Sequence, residues 1–366
     1  MKRTILVVLW LGACNSDTTP APVGGAPVCG GDSYALVALT DYMTPGHTAK
    51  IRLDTFDLQD AIFGTGEDTA LKRIGDTIFV INEFGATDAD NIEQRNVKTL
   101  QVTVPQTTIG KGNDPQDVVV GADGKVYACE LEGPGVAILG GATIDLSALD
   151  PDGKPNCVSL YQRGDLLYAF LALWDDTMQY KPPRGPGKVA IINETTLALV
   201  GTFDLMSQNP AGWVREEPNT QNVLIAAQAD FSGMSGGLER VDLDGRTSRG
   251  MVVTAEQLGN RYISDFVVNA DGTAFVSAVD PASTEGQSNL LPFTMAGQVG
   301  APMGAGGHAA GLAVDACNHL WVVDRGYGAN APSGVYVYDV TTKQLLKGPI
   351  LTSLPPRFWG GIVFVP

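Results

Sequence analysis

Apolar runs broken by short polar turns recur along this chain at near-regular spacing. The clearest copies are DPQDVVVGADGKVYACE at 114–130, ISDFVVNADGTAFVSAVD at 263–280 and HAAGLAVDACNHLWVVD at 308–324. Each reads as strand, tight turn, strand, a hairpin that cannot bury its own faces and needs neighbours stacked on it. Weaker copies lie at 32–41 (DSYALVALTD), 71–83 (LKRIGDTIFVINE), 156–176 (NCVSLYQRGDLLYAFLALWDD) and 213–230 (WVREEPNTQNVLIAAQAD), which makes seven. With Asp32, Asp76, Asp123, Asp165, Asn219, Asp271 and Cys317 as turn markers, successive gaps are 44, 47, 42, 54, 52 and 46 residues. A four-stranded propeller blade takes about 40–50 residues.

The intervening segments supply two outer strands per blade, as in AKIRLDTFDL (49–58), KVAIINETTLALVGTFDL (188–205), GLERVDLDGRTSR (237–249) and GVYVYDVTTKQLLKGPI (334–350), with Asn193, Asp244 and Asp339 starting their turns. The first copy has no inner strand before it, and the chain ends in an apolar run, RFWGGIVFVP (357–366), with nothing after it to pair with. The pattern therefore predicts an all-β, seven-bladed β-propeller over 32–366 in which the C-terminal strand closes the first blade and removes the exposed sheet edges. A β-sandwich or an open array of hairpins is the competing arrangement. The 44 glycines and 22 prolines suit turn-rich β structure, no stretch carries a strong helical period, and there is no sign of a second domain.

The N-terminus, MKRTILVVLWLGAC, places Lys2 and Arg3 before an apolar run from Ile5 to Leu11 and ends in Leu11, Gly12, Ala13, Cys14. It resembles a bacterial lipoprotein signal with its lipobox. The resemblance implies removal of residues 1–13, acylation of Cys14 and attachment to a membrane outside the cytoplasm, at the outer membrane or the periplasmic face of the envelope. Residues 14–31, rich in Thr, Pro, Ala and Gly, then read as a flexible tether.

Four cysteines remain, and an even count in an oxidising compartment favours disulfides. The propeller frame selects one of three pairings. Cys129 ends the second strand of the third blade and Cys157 begins the inner strand of the fourth, on the same face. Cys29 precedes the first blade and Cys317 sits in the inner turn of the seventh, so a Cys29–Cys317 bond would clasp the ring. No CxxC spacing and only three histidines argue against zinc.

The net charge of −16 becomes −18 once Lys2 and Arg3 leave with the signal, which opposes nucleic acid and anionic membrane surfaces as partners. The acids follow a pattern. Asp41, Glu83, Glu130, Asp175, Asp230, Asp280 and Asp324 each close the second strand of a repeat, so all seven are expected on one face around the tunnel. There they would hold Ca²⁺, another divalent ion or a cationic group, or serve as ordinary turn-forming and solubilising residues.

The seventh copy, through Gly311, Leu312, Ala313, Val314, Asp315, Leu320, Trp321, Val322 and Asp324, resembles the strand motif of NHL-repeat and gluconolactonase-like propellers. In the lactonase family the Asp of that motif helps bind the catalytic divalent metal; here its position is Ala310, while Asp117 and Asp265 occupy the comparable place in other blades. GMSGG at 233–237 spells GxSxG, but a strand, GLERVDL, follows where a nucleophile elbow needs a helix. The loop YKPPRGPGK (180–188) gathers Lys181, Arg184 and Lys188 beside the acidic face. The expectation is a monomeric, lipid-anchored envelope protein that binds or scaffolds a protein or polymer ligand without chemistry of its own. The alternative is a divalent-metal-dependent hydrolase of the lactonase type.

Overall fold

The computed structural model describes residues 31–85, 89–230, 235–283, 287–304, 309–326 and 332–366. The signal, Cys14 and nearly all of the tether lie outside these residues. Seven antiparallel sheets are arranged as propeller blades, and apart from one turn of 3-10 helix at Ser147–Leu149 the described residues form no helix.

The inner strands of blades two to seven are Thr69–Ile74, Pro115–Val120, Cys157–Arg163, Pro210–Glu216, Tyr262–Val268 and Ala309–Val314. The inner strand of blade one is the last of the chain: Ile362–Val365 pairs with Tyr34–Leu39, Tyr34 opposite Val365 and Val37 opposite Ile362. The turns between inner and second strands fall at the predicted markers, as at Asp123, whose Oδ1 accepts the Lys125 amide. In blades two, four, five and seven the turn after the third strand uses one device, a side-chain oxygen accepting the amide three residues on. Asn193 does this for Thr196 and Asp339 for Thr342. In blade five the residue is Asp242, bonded to Gly245, and not the expected Asp244.

Blade six departs from the four-stranded expectation. It has three strands, Tyr262–Val268, Thr273–Val279 and Ser288–Thr294, and only isolated bridges, Leu290 to Met303 and Phe293 to Val299, where a fourth would run. The segment there, AGQVGAPMG, has no apolar alternation and too much Gly and Pro to sustain a ladder.

Buried side chains form seven clusters, each drawn from two neighbouring blades, so the core lies between the blades and continues around the ring. Trp321 of blade seven is fully buried against Val37 and Leu39 of blade one, its indole N–H donating to Asp315 at 2.8 Å. Cys129 and Cys157 form the expected disulfide, with Cα atoms 5.2 Å apart, and staple blade three to blade four across 28 residues of chain. Closing a loop of that length stabilises the fold by about 3–4 kcal/mol in the chain-entropy picture. Cys317 is also disulfide-bonded. Its expected partner, Cys29, lies outside the described residues.

The meander gives the ring two unlike faces. Tight turns join inner to second and third to fourth strands on one, the turn face. The longer connections from second to third strands, and from blade to blade, lie on the other, the loop face.

Candidate binding site

Five inner strands slip register near their loop-face ends, at Pro115/Asp117, Cys157/Ser159, Ala211/Arg215, Ile263/Asp265 and Ala309/Gly311. A bulged residue leaves the ladder and turns its side chain aside. Gln116, Val158, Gly212 and Ser264, one from each of blades three to six, thereby line a central cavity of about 360 Å³. Trp174, Tyr262, Phe358 and Trp359 supply aromatic walls, and Asn209 and Gln228 supply amides.

Trp213 crosses the tunnel on the turn-face side of the cavity. In blade five the residues from Ala211 to Arg215 oppose only Ala226 to Leu224, so two extra residues bulge out, helped by Gly212 at φ +68°. The Trp213 indole N–H donates to the Gln116 carbonyl of blade three at 3.0 Å, and its ring lies 5.1 Å from the Lys72 ammonium of blade two. A Cβ at Gly360, in the segment leading to the closing strand, would lie 3.1 Å from the ring, so glycine there lets the indole span the tunnel. The cavity's lining comes from the loop-face ends of the inner strands and from loop-face connections, so it lies toward the loop face.

Beside it lies a buried charge cluster. Arg357, 1% exposed, donates to Asp68 at 2.6 Å, to Glu83 at 2.5 Å and to the Trp359 carbonyl. Gln116 joins this cluster to the cavity wall by donating to Asp114 at 2.8 Å and to Glu83 at 3.3 Å. Burial pushes the Glu83 carboxyl well above the usual carboxylate range, against the pull of Arg357. Burial, helped by the charge of Asp68, raises Asp114 to about 7.

A carboxyl whose folded pKa is raised contributes stability that is fully present below its unfolded pKa, about 4, and is lost as pH rises through the folded value. The urea midpoint is therefore expected to rise between pH 8 and pH 5. Asp114→Asn should flatten that rise by stabilising the protein at pH 8, since Asn tolerates the left-handed backbone at this position, φ +52°. An unchanged slope in the variant would remove Asp114 from this role.

The seven strand-end acids are all placed on the loop face, but they do not share one site. Among the described residues no three of them bring carboxylate oxygens within 4.8 Å of one another. Asp41 caps its own loop through the Met43 and Thr44 amides. Glu83 meets Arg357. Glu130, fully buried, accepts from Asn113 at 2.7 Å and leaves its second oxygen unpaired. Asp175 pairs with Arg184 at 2.8 Å and Asp280 with Arg261 at 3.4 Å, while Asp324 accepts the Gly326 amide at 2.7 Å. Asp230 is exposed in the turn after its strand.

Asp117 and Asp265 act as clasps between blades. Each accepts the amide of its own successor and then an inner-strand amide of the next blade, Leu160 at 2.9 Å and Leu312 at 2.7 Å. Each also meets a cation, Lys72 at 2.5 Å and Arg215 at 3.4 Å. Their oxygens are thus engaged by donors of the chain itself. The one metal-like trio among the described residues, Asp315, Cys317 and His319, is a turn-face hairpin. Asp315 is occupied there by the His319 ring and the Trp321 indole, and Cys317 is spent in its disulfide. The three cations of the 180–188 loop are paired as well. Lys181 pairs with Glu132 and Asp176, Arg184 with Asp150, Asp152 and Asp175, and Lys188 with Asp204. Gly237 of the GxSxG match opens a strand, Gly237–Asp242, and Gly233 and Met234 lie outside the described residues.

Sequence reasoning missed Trp213 and the Arg357, Phe358, Trp359 wall. The available signals were a lone Gly-Trp inside a strand pattern, which marks a bulge, and an arginine at the head of an apolar terminal run.

No protein-family model matches the chain, and no curated protein matches it. Among solved structures it is similar to hydrazine synthase from Kuenenia stuttgartiensis, with 15% identity, 73% of this chain and 74% of that one covered, and a TM-score of 0.49. It is also similar to virginiamycin B lyase from Staphylococcus aureus, with 14% identity, coverage of 68% and 73%, and a TM-score of 0.42. A streptogramin B lyase structure aligns at 9% identity, coverage of 76% and 80%, and a TM-score of 0.48.

Proposed function

We propose that this protein is a binding module of the cell envelope, tethered through Cys14, that receives its ligand at the loop-face mouth of the propeller. The observation that carries the reading is the central cavity toward the loop face, with its aromatic walls and a few amides. An apolar pocket with a few convergent polar groups is the usual form of a ligand site. Binding is favoured over metal-dependent hydrolysis because the carboxylates nearest the lactonase pattern, Asp117 and Asp265, are already held by cations and backbone amides.

The test is a thermal-shift screen of small aromatic and aliphatic compounds on the full chain in detergent. A compound that binds only the folded state raises the melting temperature. That rise should vanish in Val158→Trp, which fills the cavity. Lactone or phosphoester hydrolysis by the wild type that requires added Ca²⁺ or Zn²⁺ would overturn the reading. The tether predicts fatty-acid labelling of the wild type and none of Cys14→Ser; equal labelling would remove it.

A further inference from the structure

The large apolar side chains that remain exposed fall into two sets. Leu58, Val102, Leu199, Val200, Leu345 and Leu346 lie on the outermost strands, around the rim. Met43, Phe84, Met178, Tyr180, Met206 and Leu351 all lie in connections of the loop face, and they include the most exposed of all, Tyr180 at 86%, Met43 at 80% and Phe84 at 71%. Methionines and aromatics of this kind are enriched at protein interfaces, where a flexible thioether adapts to a partner's surface. Four of the six are close in sequence to the cavity or to a residue bonded to its wall. Phe84 follows Glu83, which is bonded to Gln116; Met178 and Tyr180 follow Trp174; Met206 precedes Asn209.

The same face is acidic. Carboxylates outnumber cations in its connections, and two of the cations are outnumbered in their own clusters: Arg184 faces Asp150, Asp152 and Asp175, and Arg357 faces Asp68 and Glu83. Within the cavity wall, Asn209 is 1% exposed and accepts the Trp174 indole N–H at 2.9 Å. That bond holds the Trp174 ring in place in the cavity wall.

Resting on the binding reading above, we infer that the loop face docks a cationic polypeptide segment whose aromatic or aliphatic side chain enters the cavity. The apolar collar covers the flanking residues, and the acidic connections meet lysines or arginines. A small organic cation would use the cavity and the charge but leave the collar uncovered. An anionic membrane surface would be repelled by the acidic face.

The test uses the full chain and fluorescein-labelled short peptides of alternating lysine and alanine with a central phenylalanine, read by anisotropy. The controls replace every lysine by glutamate, or the phenylalanine by serine. The lysine and phenylalanine peptide is expected to bind, more weakly as salt is raised, and to lose about tenfold in affinity on loss of its phenylalanine or in Val158→Trp. Phe84→Ser with Tyr180→Ser should weaken it by a similar factor. Leu199→Ser with Val200→Ser, on the rim, should not. Equal binding of lysine and glutamate peptides, equal loss in the rim and loop-face variants, or displacement by a neutral oligosaccharide instead of by basic peptide would overturn the inference. If no peptide binds while apolar compounds still stabilise the wild type and not Val158→Trp, this inference fails and the binding reading stands. If those compounds fail as well, both fall.

Discussion

A chain that stops at Gly361, without the strand Ile362–Val365, is expected to show no cooperative unfolding transition. That strand is the inner strand of blade one and packs between blades seven and two. Ile362 and Val363 are each 8% exposed and Val365 fully buried, so their removal forfeits burial worth about 5–9 kcal/mol. Domains of this kind are stable by only about 5–15 kcal/mol in total. The loss also strips the ladder from Tyr34–Val37 and leaves an open edge facing the tunnel, a template for association with other chains. Near-ultraviolet circular dichroism should show no melting transition, and gel filtration should show oligomers. A synthetic peptide covering residues 352–366, added during refolding, should restore a transition by strand addition. A truncated chain that melts cooperatively within a few degrees of the parent would show that the ring does not depend on this closure.

What could be read from the sequence was whatever repeats locally. The hairpin period is a property of neighbouring residues, so it located the turns at Asp76, Asp123, Asp165, Asn219, Asp271 and Cys317. Once the blades were placed, the frame also brought Cys129 beside Cys157. It put the strand-end acids on the loop face because that follows from strand direction alone. Their roles did not follow, since each depends on a partner that no local pattern names. Glu83 meets Arg357 across 274 residues of chain, and Asp117 is held by Lys72 and by a strand of the next blade. Trp213 was hidden for a related reason. A tryptophan in an apolar run reads as core, and only the two-residue bulge behind Gly212 sends it across the tunnel. Blade six lost its fourth strand where Gly and Pro displace alternation, a signal that was present in AGQVGAPMG and that the regular spacing of the repeats overrode.

The Arg357 cluster gives the second large effect. Arg357→Ala is expected to cost about 3–5 kcal/mol, the usual penalty for leaving a buried carboxylate without its cation. Glu83 is 2% exposed, its second oxygen lacks a partner, and the Gln116 amide that also reaches it at 3.3 Å is neutral and shared with Asp114, so it does not replace the guanidinium's charge. Lysine is not an adequate substitute. The guanidinium reaches Asp68, Glu83 and the Trp359 carbonyl from three separate nitrogens, whereas an ammonium is a single point. The loss should depend on pH. In the wild type Arg357 holds the Glu83 carboxyl down against burial; without it the folded pKa climbs further. The penalty in the variant is then the cost of ionised Glu83, present at pH 8 and relieved as the carboxyl takes up a proton toward pH 5. Urea unfolding at the two pH values should show the larger deficit at pH 8, and adding Glu83→Gln to Arg357→Ala should recover part of it, because residues in one network couple. A deficit below about 1 kcal/mol, the size of an exposed ion pair, or one that does not change with pH, would mean that Arg357 holds the cavity wall by packing alone and that the charge cluster beside the mouth carries no strain.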